Sequence, residues 1–144
     1  MAAVIEPFEN ARHRGAVIAL WENVFAYETP HNRPALAIDK KLEIDDGLFF
    51  VATEGDEVSG TVMAGYDGHR GWIYSLAVDP EHRQQGLGSR LIDHAEQTLV
   101  ARGCMKINLQ IRADNEAVVE FYQSIGYVVE PTLSMGKIFP ENIP

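Results

Sequence analysis

The sequence predicts an α/β (α+β) fold, with a mixed central β-sheet of six to seven strands flanked by about four helices. Three observations carry this expectation. Between residues 48 and 78, strand-like segments are separated only by short Gly- and Asp-containing turns, the mark of a hairpin meander. The meander leads into a strand, a helix-period segment and another strand, the pattern of a crossover connection. One more helix-period segment then precedes two short strand-like runs. The resulting order is β-α-α-β-β-β-α-β-α-β-β, with helices available for both faces of the sheet.

Each element has its own local cause. AVIEPFE, within residues 2–9, reads as a short first strand. Val17, Leu20, Trp21, Val24 and Phe25 recur at helical spacing and define an amphipathic helix over about residues 11–25. YETPHNRP (27–34) holds two prolines and must be irregular. A weaker helix over 35–44 ends in the turn Asp45-Asp46-Gly47. LFFVATE (48–54) is a strand, and GDE turns it into VSGTVMAGY, so the two pair as a hairpin. A second turn, DGHRG (67–71), leads into WIYSLAV, which Asp79 and Pro80 stop.

From Gly86 onward, Leu87, Leu91, Ile92, Ala95 and Leu99 mark one face of a helix that runs to about Arg102, and Gly103 ends it. KINLQIR (106–112) is a strand. Asp114 or Asn115 caps the next helix, whose inner face is Val118, Phe121, Tyr122 and Ile125. Gly126 closes that helix, and YVVE and LSMGKIF supply the last two strands.

Composition narrows the function classes. A chain of 144 residues with 46% hydrophobic and 23% charged residues buries a substantial core. No linker, repeat or low-complexity segment interrupts it, so a single domain over 1–144 is expected. Twelve Lys and Arg against 21 Asp and Glu give 12 − 21 = −9, which argues against nucleic acid as a partner. The same charge suits a cationic substrate, and it is also an ordinary solubility feature. The one cysteine, Cys104, cannot close an internal disulfide, no basic-then-apolar leader is visible, and no apolar run reaches the ~18 residues of a membrane span. A cytoplasmic protein without a membrane partner is expected.

The chemistry concentrates in HRQQGLGSR (82–90), where two glycines stand between arginines with no acid among them. Three anion cradles compete for this run. A P-loop requires a Lys with Ser or Thr after its second glycine, and Leu87, Gly88 and Ser89 follow Gly86 instead. A dinucleotide fingerprint requires three spaced glycines, and only Gly86 and Gly88 are present. The third cradle is R-x-x-G-x-G, here Arg83-Gln84-Gln85-Gly86-Leu87-Gly88, joining a strand to a helix. Its glycines admit oxygens close to backbone N–H groups, and the helix start adds unpaired N–H groups and the positive end of a dipole. The plain alternative is a surface turn with solvated arginines.

The surroundings of the run favour the third cradle. LAVDPEHRQQGLGSRLI (76–92) closely resembles the acetyl-CoA-binding motif of the GNAT superfamily of N-acetyltransferases. ADNEAVVEFYQSIGY (113–127) resembles that family's C-terminal helix with its tyrosine, glycine and following aromatic. The two stretches occur in the family's order, and GYDGHRG (65–71) resembles the bacterial YpeA-type subgroup.

The resemblance implies the GNAT fold, with acetyl-CoA as cosubstrate and a small-molecule, protein or peptide amine as acceptor. It implies a bulge in the strand before the loop, where the backbone of Leu76, Ala77 and Val78 takes the pantetheine and acyl carbonyl. Arg83 opens the pyrophosphate loop, whose N–H groups run from Gln84 and Gln85 through Gly86, Leu87 and Gly88 to Ser89. Asn115 is implied near the pantetheine arm, with helix capping as a compatible alternative. Tyr122 falls at the position of the family's general acid and at the cosubstrate; its alternative is a core residue on an apolar helix face.

The base is not evident. In several relatives a glutamate stands where this chain has Gln110, and Gln110 cannot take a proton at neutral pH. Glu28, Tyr74 or a water chain are the substitutes. A catalytically weak acyl-CoA-binding or regulatory module is therefore the rival reading. Apolar Leu133, Met135 and Phe139 in the last strand raise a homodimer, since such strands help form dimers in relatives. No metal is expected: His13, His31, His69, His82 and His94 have no H-E-x-x-H or cysteine-pair spacing. Ser75, Ser89 and Ser124 lack the elbow sequence of a nucleophilic serine.

Overall fold

The first two residues of the strand Phe49–Glu54 (β2) look to opposite sides of the sheet, because successive side chains of a strand alternate. Phe49 stacks on Phe8, with ring centroids 4.1 Å apart, and lies 5.8 Å from Trp21. Phe50 instead meets the edge of His94 at 4.5 Å. Trp21 belongs to the helix Asn10–Val24 (α1) and His94 to the helix Leu87–Ala101 (α3), so helices cover both faces. The next strand, Glu57–Tyr66 (β3), repeats the pattern. Gly60 lies against Leu91 of α3, while Thr61 bonds Trp21 of α1.

The computed structural model describes residues 2–25 and 29–144, and the chain divides into two units, Met1–Asn108 and Leu109–Pro144. In the first, the strand Val4–Pro7 (β1) pairs antiparallel with β2, β2 with β3, and β3 with Gly71–Val78 (β4). After α3 crosses over, Ile107–Leu109 (β5) completes a five-stranded mixed sheet of order β1-β2-β3-β4-β5. One side of the sheet carries Val17, Leu20 and Trp21 of α1, Ile38 of the helix Pro34–Ile44 (α2), and Phe49, Val51, Met63 and Ala77. The other carries Leu87, Leu91, Ile92, Ala95 and Leu99, the five residues whose spacing predicts α3, all buried. Each such Leu, Ile or Val side chain contributes about 1.5–3 kcal/mol by leaving water.

In the second unit, Asn115 caps the helix Glu116–Ser124 (α4), its Oδ1 accepting the Val118 N–H at 3.3 Å. Asn115, not Asp114, is the cap. Gly126 ends the segment with φ +103°, a left-handed conformation suited to glycine. Of the expected inner face, Tyr122 is buried, while Val118, Phe121 and Ile125 are half-buried.

The expected six to seven strands are five among the described residues. The strand expected over 106–112 narrows to three residues, and YVVE and LSMGKIF form no strand. Both runs have suitable composition, but a strand exists only through ladder pairing, which composition does not supply. Val128, Val129, Leu133 and Met135 are exposed accordingly, and Pro131 stands between the two runs without an N–H to donate.

Candidate functional site

The bulge lies where the family resemblance implies one. Along β3 and β4, Thr61 pairs with Ala77 and Met63 with Tyr74, so three steps on β4 match two on β3. Ser75 and Leu76 together oppose Val62, which is the geometry of a β-bulge. Ser75 carries the distortion, with φ +53° in the middle of a strand. A left-handed conformation at a residue with a Cβ costs roughly 1–2 kcal/mol, so something must hold it. The Ser75 carbonyl accepts a bond from Thr61 Oγ1 at 2.9 Å, and Thr61 Oγ1 accepts one from Trp21 Nε1 at 2.8 Å.

A second irregularity fixes the far end of β4. Ser59 is an extra residue in the β2–β3 pairing, and its carbonyl accepts the Asp79 N–H at 2.8 Å. Asp79 in turn caps the 3-10 turn Pro80–His82, accepting the Glu81 N–H at 2.9 Å. The chain therefore leaves the sheet at a set position.

From there the loop turns on two left-handed residues, Gln84 at φ +64° and Gly86 at φ +75°. Alternating left- and right-handed residues point successive N–H groups into one concavity, an anion nest. Gly86 is also the N-cap of α3 and provides no side-chain cap. Among the described residues, the amides of Gln84 through Ser89 have no backbone acceptor; the first N–H of the run to find one is Arg90, on the Gly86 carbonyl at 3.1 Å. A Cβ placed on Gly86 would meet nothing within 4 Å, so the space over the cradle is open. Unpaired N–H groups, an open approach and the positive end of a 15-residue helix fit a pyrophosphate.

The arginines around the loop divide. Arg83 Nε reaches back to the Val78 carbonyl at 3.4 Å, which ties the loop to the end of β4. Arg90 donates to the Ala3 carbonyl at 2.8 Å and so anchors the N-terminal segment. The structure thus brings Leu76, Ala77, Val78, Arg83, Gln84, Gln85, Gly86, Leu87, Gly88 and Ser89 into one continuous strand, loop and helix start within Met1–Asn108.

Asn115 and Tyr122 share α4 in the other unit. Tyr122 is 7% exposed, with the Phe121 ring 5.0 Å and the Tyr127 ring 5.5 Å away, both nearly perpendicular. Burial pushes its phenol up to about 12, so it stays protonated throughout the physiological range. An unshifted phenol is also protonated there, so burial leaves the proton available but makes it harder to give up.

The candidate bases fare differently. Gln110 donates its amide to Ser134 Oγ. Tyr74 is part-exposed, but its oxygen accepts a bond from the buried Lys41 ammonium at 2.8 Å. Glu28, like Tyr27 of the 27–34 loop, lies outside the described residues. In the turn after β3, Asp67 accepts the Arg70 and His69 N–H groups at 2.7 Å each, bonds that hold its carboxyl below the usual range, Arg70's most of all. Asp67 therefore organises its own turn. Among the described residues no three His, Cys, Asp or Glu side chains converge as a metal site, and no helix is long and apolar enough to cross a membrane.

Sequence reasoning missed the residues behind this geometry. Trp21 reads only as one apolar position of an amphipathic helix, Thr61 is not singled out, and nothing in WIYSLAV marks Ser75 as the distorted residue. Lys41, within the weaker helix and not singled out by the sequence, is buried.

Comparison with known proteins gives the arrangement its relatives. A family model described as the acetyltransferase (GNAT) family matches residues 11–127. An acetyltransferase of Sodalis glossinidius is 45% identical over 122 residues, spanning 84% of this chain and 85% of its own. One from Pectobacterium atrosepticum is 44% identical over 122 residues, spanning 85% and 86%. In fold, the chain is similar to the PaiA N-acetyltransferase of Thermoplasma acidophilum in complex with coenzyme A, at TM-score 0.78 and 16% identity over 92% of this chain and 93% of that one. It is also similar to glucosamine-6-phosphate N-acetyltransferase of Arabidopsis thaliana, at TM-score 0.71 and 20% identity over 96% and 99%. A bulged strand running into a glycine-bearing amide cradle, matched by the family model over both its motifs, makes this chain a member of the acetyltransferase (GNAT) family.

Proposed function

We propose that the chain is a single N-acetyltransferase domain over 1–144, of the YpeA-type subgroup, that moves an acetyl group from acetyl-CoA to a primary amine. The observation that carries this reading is the open row of unpaired amides from Gln84 to Ser89 directly after a bulged strand. In it, Gln84, Gln85, Gly86, Leu87, Gly88 and Ser89 bind the pyrophosphate, Arg83 braces the loop, and the backbone of Leu76, Ala77 and Val78 pairs with pantetheine. Asn115 adds a contact to the pantetheine arm while capping α4.

The amine nitrogen attacks the thioester carbonyl directly. A C–N bond forms, the C–S bond breaks, and the amine proton leaves to a base or a water chain. Tyr122 gives its hydroxyl proton to the departing sulfur and recovers one from water; a phenol is protonated at neutral pH and can act in this way. Gln110 donates its side-chain amide to Ser134 Oγ and cannot take a proton, so the amine proton passes to Glu28, Tyr74 or a water chain.

The acceptor is a small-molecule amine or a protein or peptide amine, compatible with the net charge of −9, and no metal takes part. The protein works in the cytoplasm. Exposed Leu133 and Met135 support a homodimer, which light scattering at tens of micromolar tests, since ~1 μM affinity is then saturating.

Gln110 favours one other reading, an acyl-CoA-binding module with little turnover. Incubation with acetyl-CoA and a mixed amine panel, followed by free-thiol release, separates the two. Thiol release that depends on an added amine supports the enzyme. Tight CoA binding without release from any amine supports the module.

A further inference from the structure

Thr61 occupies a site where a polar side chain needs a reason. It is fully buried between the sheet and α1, in a position a valine of the same shape would fill. Its hydroxyl has no freedom, because it accepts from Trp21 Nε1 at 2.8 Å and donates to the Ser75 carbonyl at 2.9 Å. Linked hydrogen bonds in a low-dielectric interior polarise and strengthen one another. The last acceptor of this relay is the one residue of β4 with a left-handed backbone.

The bulge also decides which way β4 faces beyond it. Ala77 joins the core formed with Trp21 and Met63, although it is three residues from Tyr74, which pairs with Met63. Without the extra residue, side-chain alternation would send Ala77 and everything after it to the opposite face. Control of the Ser75 carbonyl is therefore control of the backbone direction of Leu76, Ala77 and Val78.

We propose that Trp21 and Thr61 are positioning residues for thioester binding: their relay clamps Ser75 in its left-handed turn and so aims the backbone of the next three residues at pantetheine and the acyl carbonyl. Neither side chain need touch the cosubstrate. This inference rests on the reading that pantetheine lies along β4 while the pyrophosphate lies in the loop of residues 84–89.

Those two halves of the ligand provide the test. Thr61→Val keeps the shape and removes the hydroxyl. Two probes are titrated: CoA, and its nucleotide half, 3′-phosphorylated ADP, which has the pyrophosphate but no pantetheine. CoA should bind about tenfold more weakly to the variant, the effect of ~1.4 kcal/mol, while the nucleotide half keeps its affinity within about twofold. At saturating acetyl-CoA, kcat should fall by about 10²-fold, as expected for misplaced reacting groups. Thr61→Ser, which restores the hydroxyl, should recover both.

A purely structural role predicts a lowered melting temperature with an unchanged CoA-to-nucleotide affinity ratio and unchanged kcat. That result, or equal weakening of both probes, overturns the proposal. If Thr61→Val does not fold, Trp21→Phe decides. It removes one donor and leaves the bond to Ser75, so a smaller CoA-selective loss supports the relay and an unchanged ratio overturns it. Failure of the wild-type protein to bind either probe would instead overturn the loop reading, and this inference with it.

Discussion

Lys41 Nζ and Tyr74 Oη stand 2.8 Å apart, joined by a hydrogen bond from an ammonium that is almost wholly buried. The same nitrogen bonds Asp46 Oδ2 at 3.0 Å and the Ala64 carbonyl, so all three ammonium donors are used. The ring of Tyr74 also lies under the charge, its centroid 5.2 Å away. This cluster clasps α2, the turn after it, β3 and β4 together. It also engages the phenol of Tyr74, one of the substitutes for the missing base.

Substitution separates clasp from base. Tyr74→Phe should lower stability by roughly 1.5–3 kcal/mol, the range for a hydrogen bond to a charged group, and leave kcat within about threefold. Lys41→Met removes the centre of the cluster and should fall toward the lower end of the ~3–5 kcal/mol seen when a buried pair loses one partner, since Asp46 retains some water. Urea melts measure both. A kcat loss near 10²-fold in a stable Tyr74→Phe protein would make the phenol catalytic after all.

Gly86 tests the cradle. With φ +75° and nothing within 4 Å of where a Cβ would stand, Gly86→Val places its β-carbon without a clash in the free protein. It should lose only the ~1–2 kcal/mol of a left-handed residue that carries a β-carbon. Its effect on binding should be far larger, because the branched side chain fills the space above the N–H groups. CoA at 100 times Kd stabilises the wild type by about 2.7 kcal/mol, readable as a melting-temperature shift. The shift should vanish in the variant. A normal shift would remove the pyrophosphate from this loop.

Gly60 tests how closely α3 rests on the sheet. A Cβ there would lie 2.8 Å from Leu91 Cδ1 and 3.0 Å from the Ala77 carbonyl oxygen. The leucine can move but the ladder carbonyl cannot, so Gly60→Ala should cost roughly 1–3 kcal/mol, the range for overpacking. A denaturation midpoint equal to wild type would show that α3 accommodates the methyl.

These sites mark how far the sequence could be read. α3 is legible because Leu87, Leu91, Ile92, Ala95 and Leu99 repeat at helical spacing and face one surface. The β2–β3 hairpin is legible because its turn is local. The loop is legible because Gly86 and Gly88 have few other uses beside a strand and a helix. YVVE and LSMGKIF mislead for a physical reason: composition favours a strand, but only a paired neighbour makes one. The bulge is invisible for a related reason. Its Ser75 carbonyl is bonded by Thr61, which Trp21 bonds in turn, 14 and 54 residues away along the chain, and no local pattern records those contacts.

Tyr122 must be tested as acid and as core residue in the same variants. Burial raises its phenol from the ordinary 10.0 to about 12, so the folded state holds this proton more tightly than the unfolded state. The stability linked to it is complete below pH 10 and is lost as pH rises through about 12, an amount of roughly 2–3 kcal/mol. Tyr122→Phe has no proton to lose, so its stability should fall less than wild type's between pH 10 and 12 in parallel urea titrations. The ring remains, and at neutral pH its melting temperature and CoA affinity should match wild type. Turnover at saturating acetyl-CoA should nevertheless drop about 10²-fold, the lower end for a positioned general acid. Tyr122→Ala should add a stability loss of roughly 3–5 kcal/mol, as for other buried aromatic truncations. Wild-type turnover in Tyr122→Phe would leave the residue a core aromatic and assign protonation of the leaving sulfur to water.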